Sequence, residues 1–404
     1  MVEPDTSEPP SIAAKPPSLS KLTQTQYRNT IRDLFGEDVV VPGGLEPDTA
    51  SDGLYAVGSS VSSVSPLGAE RYADAARSIA AQIVANTEVL ETLTDCSNES
   101  VDVKACVAEL VETVGTRIWR RPATAEEVAV LAELGEKASE ALNGTLHGIQ
   151  YVLSAMLQSP YFLYRVEEGE SDGEEGRRYT SWEMASRLSY FIWNTTPDAE
   201  LLEAAAGDTL IDDESLAAQV DRMLADPRAR QGVRSFFADW LGLFGLDDLK
   251  KDPNVFKHYA PELGAMAREE TLRVAEDIVF ERDADMREFL TTRRTFVTGR
   301  LAAIYNVPAA TPEGFGAIEL PEKGARMGFL GQVSFLAAHA HPVSTSPTQR
   351  GVFVREKLLC HTVPSPPADV DTAIPAVSDE AQSFKQRLMV HMRDPSCAPC
   401  HAFI

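Results

Sequence analysis

The sequence predicts an all-α protein with several packed helical subdomains, long irregular loops and no substantial sheet. Apolar residues recur at helical spacing through most of the 404 residues. No series of alternating strands with tight hairpin turns interrupts this pattern. Helix-start signals of the capping-box type precede several apolar runs, at Thr23/Gln26, Thr124/Glu127 and Thr180/Glu183. Together these observations favour helix on helix as the architecture.

The first helix is predicted to follow Thr23. Tyr27, Ile31 and Leu34 fall on one face of it, and Gly36 supplies a stop signal. Residues 37–68, rich in Gly, Ser, Pro and Val, are predicted to be irregular. Further helices are expected at about 69–86, 103–120, 124–141, 146–157, 180–192, 198–206, 213–225, 228–244, 261–281, 297–305, 325–338, 348–359 and 379–392.

Composition and helix breaks divide the chain. Residues 1–20 are predicted to be a disordered linker rich in Pro and acidic residues. The charged, glycine-rich run at 167–176 predicts a domain boundary. The predicted domains are an N-terminal helical domain at 21–90, a helical domain with an Arg-Arg-Pro motif at 91–168, a central helical domain at 177–308 and a C-terminal domain at 324–404.

The net charge of the chain restricts the classes of partner that it is expected to bind. The formal net charge is −24, which repels phosphate backbones and anionic membrane surfaces. We therefore expect no nucleic-acid partner. No apolar run reaches the roughly 18 residues that cross a bilayer, so the sequence predicts no transmembrane segment.

The strongest chemical signal is Cys397-Ala398-Pro399-Cys400-His401, a C-x-x-C-H run. Two thiols at this spacing can add to the two vinyl groups of one porphyrin, and the adjoining imidazole can bind the iron. The motif thus predicts covalent haem c at Cys397 and Cys400, with His401 as the proximal iron ligand. Two alternatives stay open: a redox or structural cysteine pair, and a metal half-site.

The other cysteines give information on the cellular compartment of the protein. Cys96 and Cys106 flank a short polar loop and form a disulfide candidate, with two reduced thiols as the alternative. Cys360 has no assigned role. Covalent haem attachment occurs outside the cytoplasm, so we expect an extracytoplasmic protein in the periplasm, at the cell surface or on a lipid anchor. Its export signal is expected to lie outside the given sequence.

Acidic pairs along the chain give no catalytic prediction. Glu269/Glu270 and Glu276/Asp277 fall within one predicted helix, where adjacent positions diverge around the axis. Solvated helix faces are the expected environment for such pairs, so none is assigned a catalytic role.

Eight segments in order resemble one family. They are LTQTQYRNTIRDLFG, RIWRRPATAEEVAVL, SPYFLYRVE, SWEMASRLSYFIWNTTPDAELL, MLADPRARQGVRSFFADWLGL, RTFVTGRLAAIYNV, MGFLGQVSFLAAHAHPVSTSPTQRGVFVREKLLC and HMRDPSCAPCH. The set is similar to secreted, multidomain cytochrome-c-associated proteins of planctomycetes and myxobacteria, with PSD-type domains of unknown function. The resemblance covers nearly the whole chain from Leu22 onward.

The resemblance predicts the domain organisation of the chain but no particular activity. In the family a further C-terminal domain follows the haem-type motif, whereas this sequence ends at Ile404, so we expect haem to be absent or its pocket incomplete in this fragment. The distal ligand candidates are His341, His391 and Met392. For His339 and His341, helix capping near Pro342 is the alternative, and His391 could instead orient the cysteine turn.

Two functional hypotheses follow. The first is an exported c-type haem protein that transfers electrons to or from a redox or secreted partner, in a system that oxidises an extracytoplasmic substrate. The second is a periplasmic or cell-surface binding scaffold in which the C-x-x-C pair is structural. The residues identify neither a substrate nor a reaction.

Overall fold

A computed structural model describes residues 17–96, 102–171, 177–364, 374–379, 382–393, 398 and 401. Over these residues the protein is mainly helical, and strands occur only in two-stranded sheets. The predicted all-α class without a substantial sheet is confirmed. The chain divides into two compact units, Met1–Ser235 and Phe236–Ile404, which are described separately.

The first helix of the first unit is the one predicted to follow Thr23, and the last continues past the unit boundary at residue 235. The helices are α1 Gln24–Phe35, α2 Tyr55–Gly58, α3 Pro66–Ala85, α4 Thr87–Glu91, α5 Val103–Trp119, α6 Ala125–Leu142, α7 Thr145–Gln158, α8 Pro160–Leu163, α9 Ser181–Ile192, α10 Ala199–Ala206, α11 Asp213–Ala225 and α12 Ala229–Trp240.

The second unit has shorter helices. They are α13 Leu263–Glu276, α14 Gly299–Tyr305, α15 Val333–Ala338, α16 Pro347–Phe353 and α17 Phe384–His391. Short 3-10 segments lie at Leu243–Leu246, Met286–Leu290 and Phe329–Gly331, and π-helical segments at Asp277–Glu281 and Val354–Leu358. The helix expected at about 325–338 is thus broken, because Gly328 takes φ +56° and a 3-10 turn follows it.

Three antiparallel strand pairs complete the described structure. They are β1 Ser18–Lys21 with β2 Tyr164–Glu167, β3 Glu170–Ser171 with β4 Arg177–Arg178, and β5 Arg294–Val297 with β6 Gly316–Glu319. Strand β1 starts within the range that the sequence assigns to a linker. It gains its order from backbone pairing with β2, a partner nearly 150 residues away that local composition does not reveal.

The predicted helix starts are present as capping boxes. Thr23, Thr124 and Thr180 each accept a hydrogen bond from the third helical amide, while Gln26, Glu127 and Glu183 accept one in return. Each box satisfies two backbone donors that the first helical turn leaves without partners.

The core of the first unit lies among α3, α5, α6 and α7. Ile79, Val111, Ile149 and Val152 are fully buried in it. Helices α6 and α7 approach closely at Gly148, where an added Cβ would lie 2.5 Å from the carbonyl oxygen of Gly135. A side chain at this point would push the two helices apart.

The side chain of Arg120, which follows α5, forms hydrogen bonds to the segment that enters β2. Arg120 takes the left-handed conformation with φ +60° and is 3% exposed. Its guanidinium donates to the backbone carbonyls of Tyr161, at 2.6 Å, and Tyr164, at 2.8 Å. The buried cation therefore links α5 to the segment that enters β2 through hydrogen bonds to its backbone carbonyls.

In the second unit, α13 packs against β5 and α15. Leu263, Ala267, Val297 and Leu301 form its apolar core. Polar side chains lie inside the same region, including Glu270 and Thr271, both fully buried on α13. The first unit also buries polar groups, such as Arg120, but among the described residues none of its carboxyl groups is fully buried as Glu270 is.

Candidate functional site

The C-x-x-C-H segment is described only in part. Cys397 and Cys400 lie outside the described residues, whereas Ala398 and His401 are described as helical. The imidazole of His401 is half-buried and lies beside that of His391, with ring centroids 5.0 Å apart and an edge-to-face angle of 82°. His391, the last residue of α17, is buried.

Helix α17, which ends at His391, begins with a capping box. Ser383 accepts a hydrogen bond from the amide of Gln386, and the Gln386 side chain accepts one from the amide of Ser383. From this capping box the helix runs eight residues and ends at His391. Burial, and then the neighbouring imidazole of His391, lower the pKa of His401. Neutral imidazole, which binds metals, is therefore favoured at this position.

The other distal candidates have different surroundings. His341 is exposed, and its backbone carbonyl accepts a hydrogen bond from Lys251 Nζ at 3.0 Å. Met392 follows α17 directly and is 37% exposed. Among the three candidates, His391 is the one whose ring the structure places against His401. The assignment of a distal ligand stays a prediction.

His339 has a packing role. It is the C-cap residue of α15, and its ring lies 4.6 Å from that of Phe353 and 5.1 Å from that of Phe335, between centroids. Burial, reinforced by the charge of Arg350, lowers the pKa of His339 to about 4. His339 is therefore neutral at ordinary pH and belongs to an aromatic cluster, in agreement with the capping alternative.

The cysteine pair of the first unit is brought together. Cys96 and Cys106 are paired with a Cα–Cα distance of 6.0 Å, which lies within the span of a disulfide. Whether the pair is oxidised in the cell stays a prediction. Cys360 is exposed and is the one described cysteine outside this pair.

Sequence reasoning missed a buried carboxyl group. Glu270 was expected on a solvated helix face, but its side chain is fully buried. Its two carboxyl oxygens accept hydrogen bonds from Thr295 Oγ1 at 2.6 Å and from Tyr305 Oη at 2.7 Å. Burial raises the pKa of Glu270 to about 7, against the opposing effects of these hydrogen bonds and of the Arg326 charge. Periodicity could have shown the inward position, because Leu263, Ala267 and Glu270 recur at helical spacing.

A second acidic residue, at the start of the π-helical segment that follows α13, is also buried. Asp277 is 4% exposed and pairs with Arg282 at 2.7 Å and with Arg294 at 3.0 Å. Its two guanidinium partners satisfy the carboxylate and give it a structural role. By contrast, Glu269 pairs with Arg273 at the surface, as the sequence predicts for this face.

The described residues contain no group of three or more His, Cys, Asp and Glu side chains arranged to hold a metal ion. In the same residues, no helix combines the length and the apolar character that a membrane span requires.

Fold and site together define a multidomain, mainly helical protein. Four family models match it: PSD3 at residues 21–85, PSD5 at 106–167, PSD4 at 179–307 and PSCyt3 at 326–404. Each is described as a protein of unknown function, DUF1587, DUF1595, DUF1592 and DUF1588 respectively. The four matches are domains of the planctomycete cytochrome-associated type, and together they cover most of the chain from residue 21 onward. Neither a curated protein nor a solved structure matches it.

Proposed function

We propose that this protein carries covalent haem c at Cys397, Cys400 and His401 and transfers electrons during oxidation of an extracytoplasmic substrate. The observation that carries the proposal is the C-x-x-C-H motif within the segment that the PSCyt3 model matches. Each thiol can add across one vinyl group, and the imidazole can bind the iron. Bound haem would supply one-electron redox chemistry.

The donor set of the motif matches haem c, with two thiols at this spacing for the vinyl groups and one imidazole for the iron. Structural zinc is the competing occupant, because His391 beside His401 would complete a Cys2His2 set. The half-buried ring of His401 is held by the edge contact with His391. His391 would therefore serve either as the second axial ligand or as the residue that orients His401.

The pairing of Cys96 with Cys106 supports an extracytoplasmic location. Disulfides persist in oxidising compartments such as the periplasm, where c-type haem is also attached. We expect cell fractionation to recover the native protein outside the cytoplasm with this pair protected from thiol reagents. Recovery in the cytoplasm would contradict the location.

Haem attachment is testable with the full-length gene product in a host that exports it and matures c-type cytochromes. The purified protein is expected to show haem absorbance and a mass increased by one porphyrin that denaturation does not remove. Substitution of Cys397 and Cys400 by Ser should abolish the added mass. Cys360→Ser with His361→Ala is the matched control, since this Cys-His pair lies outside the motif and should leave haem attachment intact.

The same experiment decides against the proposal if the exported protein is colourless and retains free thiols at the motif. That result would leave the binding scaffold as the remaining hypothesis, whereas a colourless protein with the two cysteines bridged would favour the scaffold with a structural cysteine pair. With haem attached, His391→Ala, Met392→Leu and His341→Ala separate the distal candidates. The variant that lacks the distal ligand should lose the low-spin spectrum, whereas the other two should keep it.

A further inference from the structure

A cavity of about 490 Å³ lies within the second unit, lined by residues between Lys251 and Ala340. Its walls are mainly apolar and include Phe256, Leu263, Ile304 and Leu336. The volume lies within the range of about 300–1,000 Å³ that small-molecule sites occupy. The cavity can therefore hold a small hydrocarbon body away from water.

The charge around this cavity opposes that of the whole chain. The protein has 61 acidic and 37 basic residues, yet the described lining includes Lys251, Lys257 and Arg326 and no Asp or Glu. Within the described residues, none of these three cations forms an ion pair within 4.0 Å. Of the three, Arg326 acts on the buried carboxyl group of Glu270, whereas Lys251 and Lys257, which form no such pair among the described residues, favour an anionic ligand at an apolar cavity.

Lys251 provides a buried, oriented donor. Its side chain is nine-tenths buried, and Nζ donates to the carbonyl oxygens of Ala340 at 2.6 Å and His341 at 3.0 Å. An ammonium group has three N–H donors, so one remains for a ligand. Burial lowers the pKa of Lys251, which is the expected effect of withdrawing the charge from water.

Arg326 also lines the cavity, and its guanidinium is held in place. Its Nη1 donates to the Gly331 carbonyl at 2.8 Å, and its guanidinium lies 5.0 Å from the ring centroid of Tyr305. A guanidinium held in this way loses little freedom when it binds a carboxylate, and its remaining N–H groups match the two carboxylate oxygens.

We propose that this cavity binds a small amphipathic carboxylate, with its hydrocarbon part among Phe256, Leu263 and Ile304 and its carboxylate at Lys251, Lys257 and Arg326. The proposal does not depend on haem at the C-x-x-C-H motif. A charge-assisted hydrogen bond in a partly desolvated site is stronger than a neutral one, so the carboxylate should dominate selectivity.

Calorimetric titration of the full chain can test the charge requirement with three probes that share an eight-carbon body. We expect octanoate to bind at least about tenfold more tightly than 1-octanol, because its carboxylate gains charge-assisted bonds. Octyltrimethylammonium should bind least. Equal affinity for octanoate and octanol, or no octanoate binding, would overturn the proposal.

Variants test the location. Lys257→Gln removes an exposed cation of the lining and should weaken octanoate binding severalfold while leaving octanol unaffected. The neighbouring Lys250→Gln is the control, since Lys250 is exposed and does not line the cavity. Ala337→Trp should fill the cavity and abolish binding of both probes. Octanoate affinity that survives both Lys257→Gln and Ala337→Trp in folded protein would place the ligand elsewhere and overturn the proposal.

Discussion

The four-helix core of the first unit and the surroundings of Glu270 in the second are two different kinds of interior. The first packs fully buried aliphatic residues such as Ile79, Val111 and Ile149 among α3, α5, α6 and α7. The second surrounds a buried carboxyl group, Glu270, with hydroxyl donors from Thr295 and Tyr305. An apolar interior is stabilised by volume and shape, whereas a polar interior depends on each hydrogen bond being made.

This difference predicts where each unit is sensitive. Loss of volume should destabilise the first unit at any pH, because hydrocarbon burial does not titrate. The second should respond to protonation, because the charged form of Glu270 is disfavoured by burial. The polar interior also lies close to the proposed ligand cavity: Val333, which lines the cavity, donates its amide hydrogen to Tyr305 Oη.

Ile149→Ala is expected to have the largest effect. Ile149 is fully buried on α7, so truncation removes transfer free energy and leaves a cavity, at a cost of about 4 kcal/mol in the free energy of unfolding. Urea denaturation followed by circular dichroism measures this change. Val130→Ala on α6, where Val130 is 61% exposed, should cost less than about 0.5 kcal/mol. A cost below 1 kcal/mol for Ile149→Ala would contradict the packed interior.

Glu270→Gln should change how stability depends on pH. The folded-state pKa of Glu270, about 7, lies above its ordinary value of 4.5, so the folded state binds more protons between these limits. The wild-type protein should therefore lose stability, relative to Glu270→Gln, as pH rises through this window, by about 3 kcal/mol in total.

Urea unfolding at pH 4 to 8, with hydrogen exchange of the α13 amides, measures the Glu270 effect. Tyr305 and Arg326 face the same carboxyl group, but the change assigned to Glu270 is the one that Glu270→Gln removes. Glu269→Gln is the matched control on the same helix, because Glu269 pairs with Arg273 at the surface. The prediction is wrong if wild type and Glu270→Gln share one pH profile.

Cys96→Ser with Cys106→Ser should destabilise the first unit. The pair closes a loop with a sequence separation of 10, and such a crosslink contributes about 2 to 3 kcal/mol by restricting the unfolded chain. Thermal unfolding with and without reductant measures the effect. Cys360→Ser, which removes an exposed thiol, is the control and should leave the midpoint unchanged. A wild-type midpoint that reductant does not move would show that the pair is not oxidised.

The smallest expected effect is a difference in the free energy of unfolding between two helix-cap variants. Thr124→Ala removes the Oγ1 acceptor of a capping box and should cost about 1 kcal/mol. Thr298→Ala in the second unit removes a longer contact, 3.4 Å from the Leu301 amide, and should cost less, about 0.5 kcal/mol. Urea midpoints of the two variants measure the difference. Equal costs would show that cap geometry does not control these two helix starts.

Local signals account for the elements that the sequence predicts correctly. Thr23, Thr124 and Thr180 each start a helix because the side chain and the residue three positions on satisfy nearby amides. Gly36 follows α1 with φ +89°, a conformation that favours glycine. The predicted C-x-x-C-H site is equally local, but most of it lies outside the described residues, so its role stays a prediction.

Long-range contacts account for what the sequence did not predict. Strand β1 depends on β2, and the hydrogen bonds of Glu270 come from Thr295 and Tyr305, 25 and 35 residues away. The cavity collects three cations from positions 251, 257 and 326 of an acidic chain. The helical period, the helix caps and the C-x-x-C-H motif each depend on residues that are neighbours in the sequence. The sequence alone therefore determined the all-α class and the candidate haem motif. Burial and partner choice depend on residues that only the folded chain brings together, so tertiary structure alone decided the raised pKa of Glu270 and the place of the cavity.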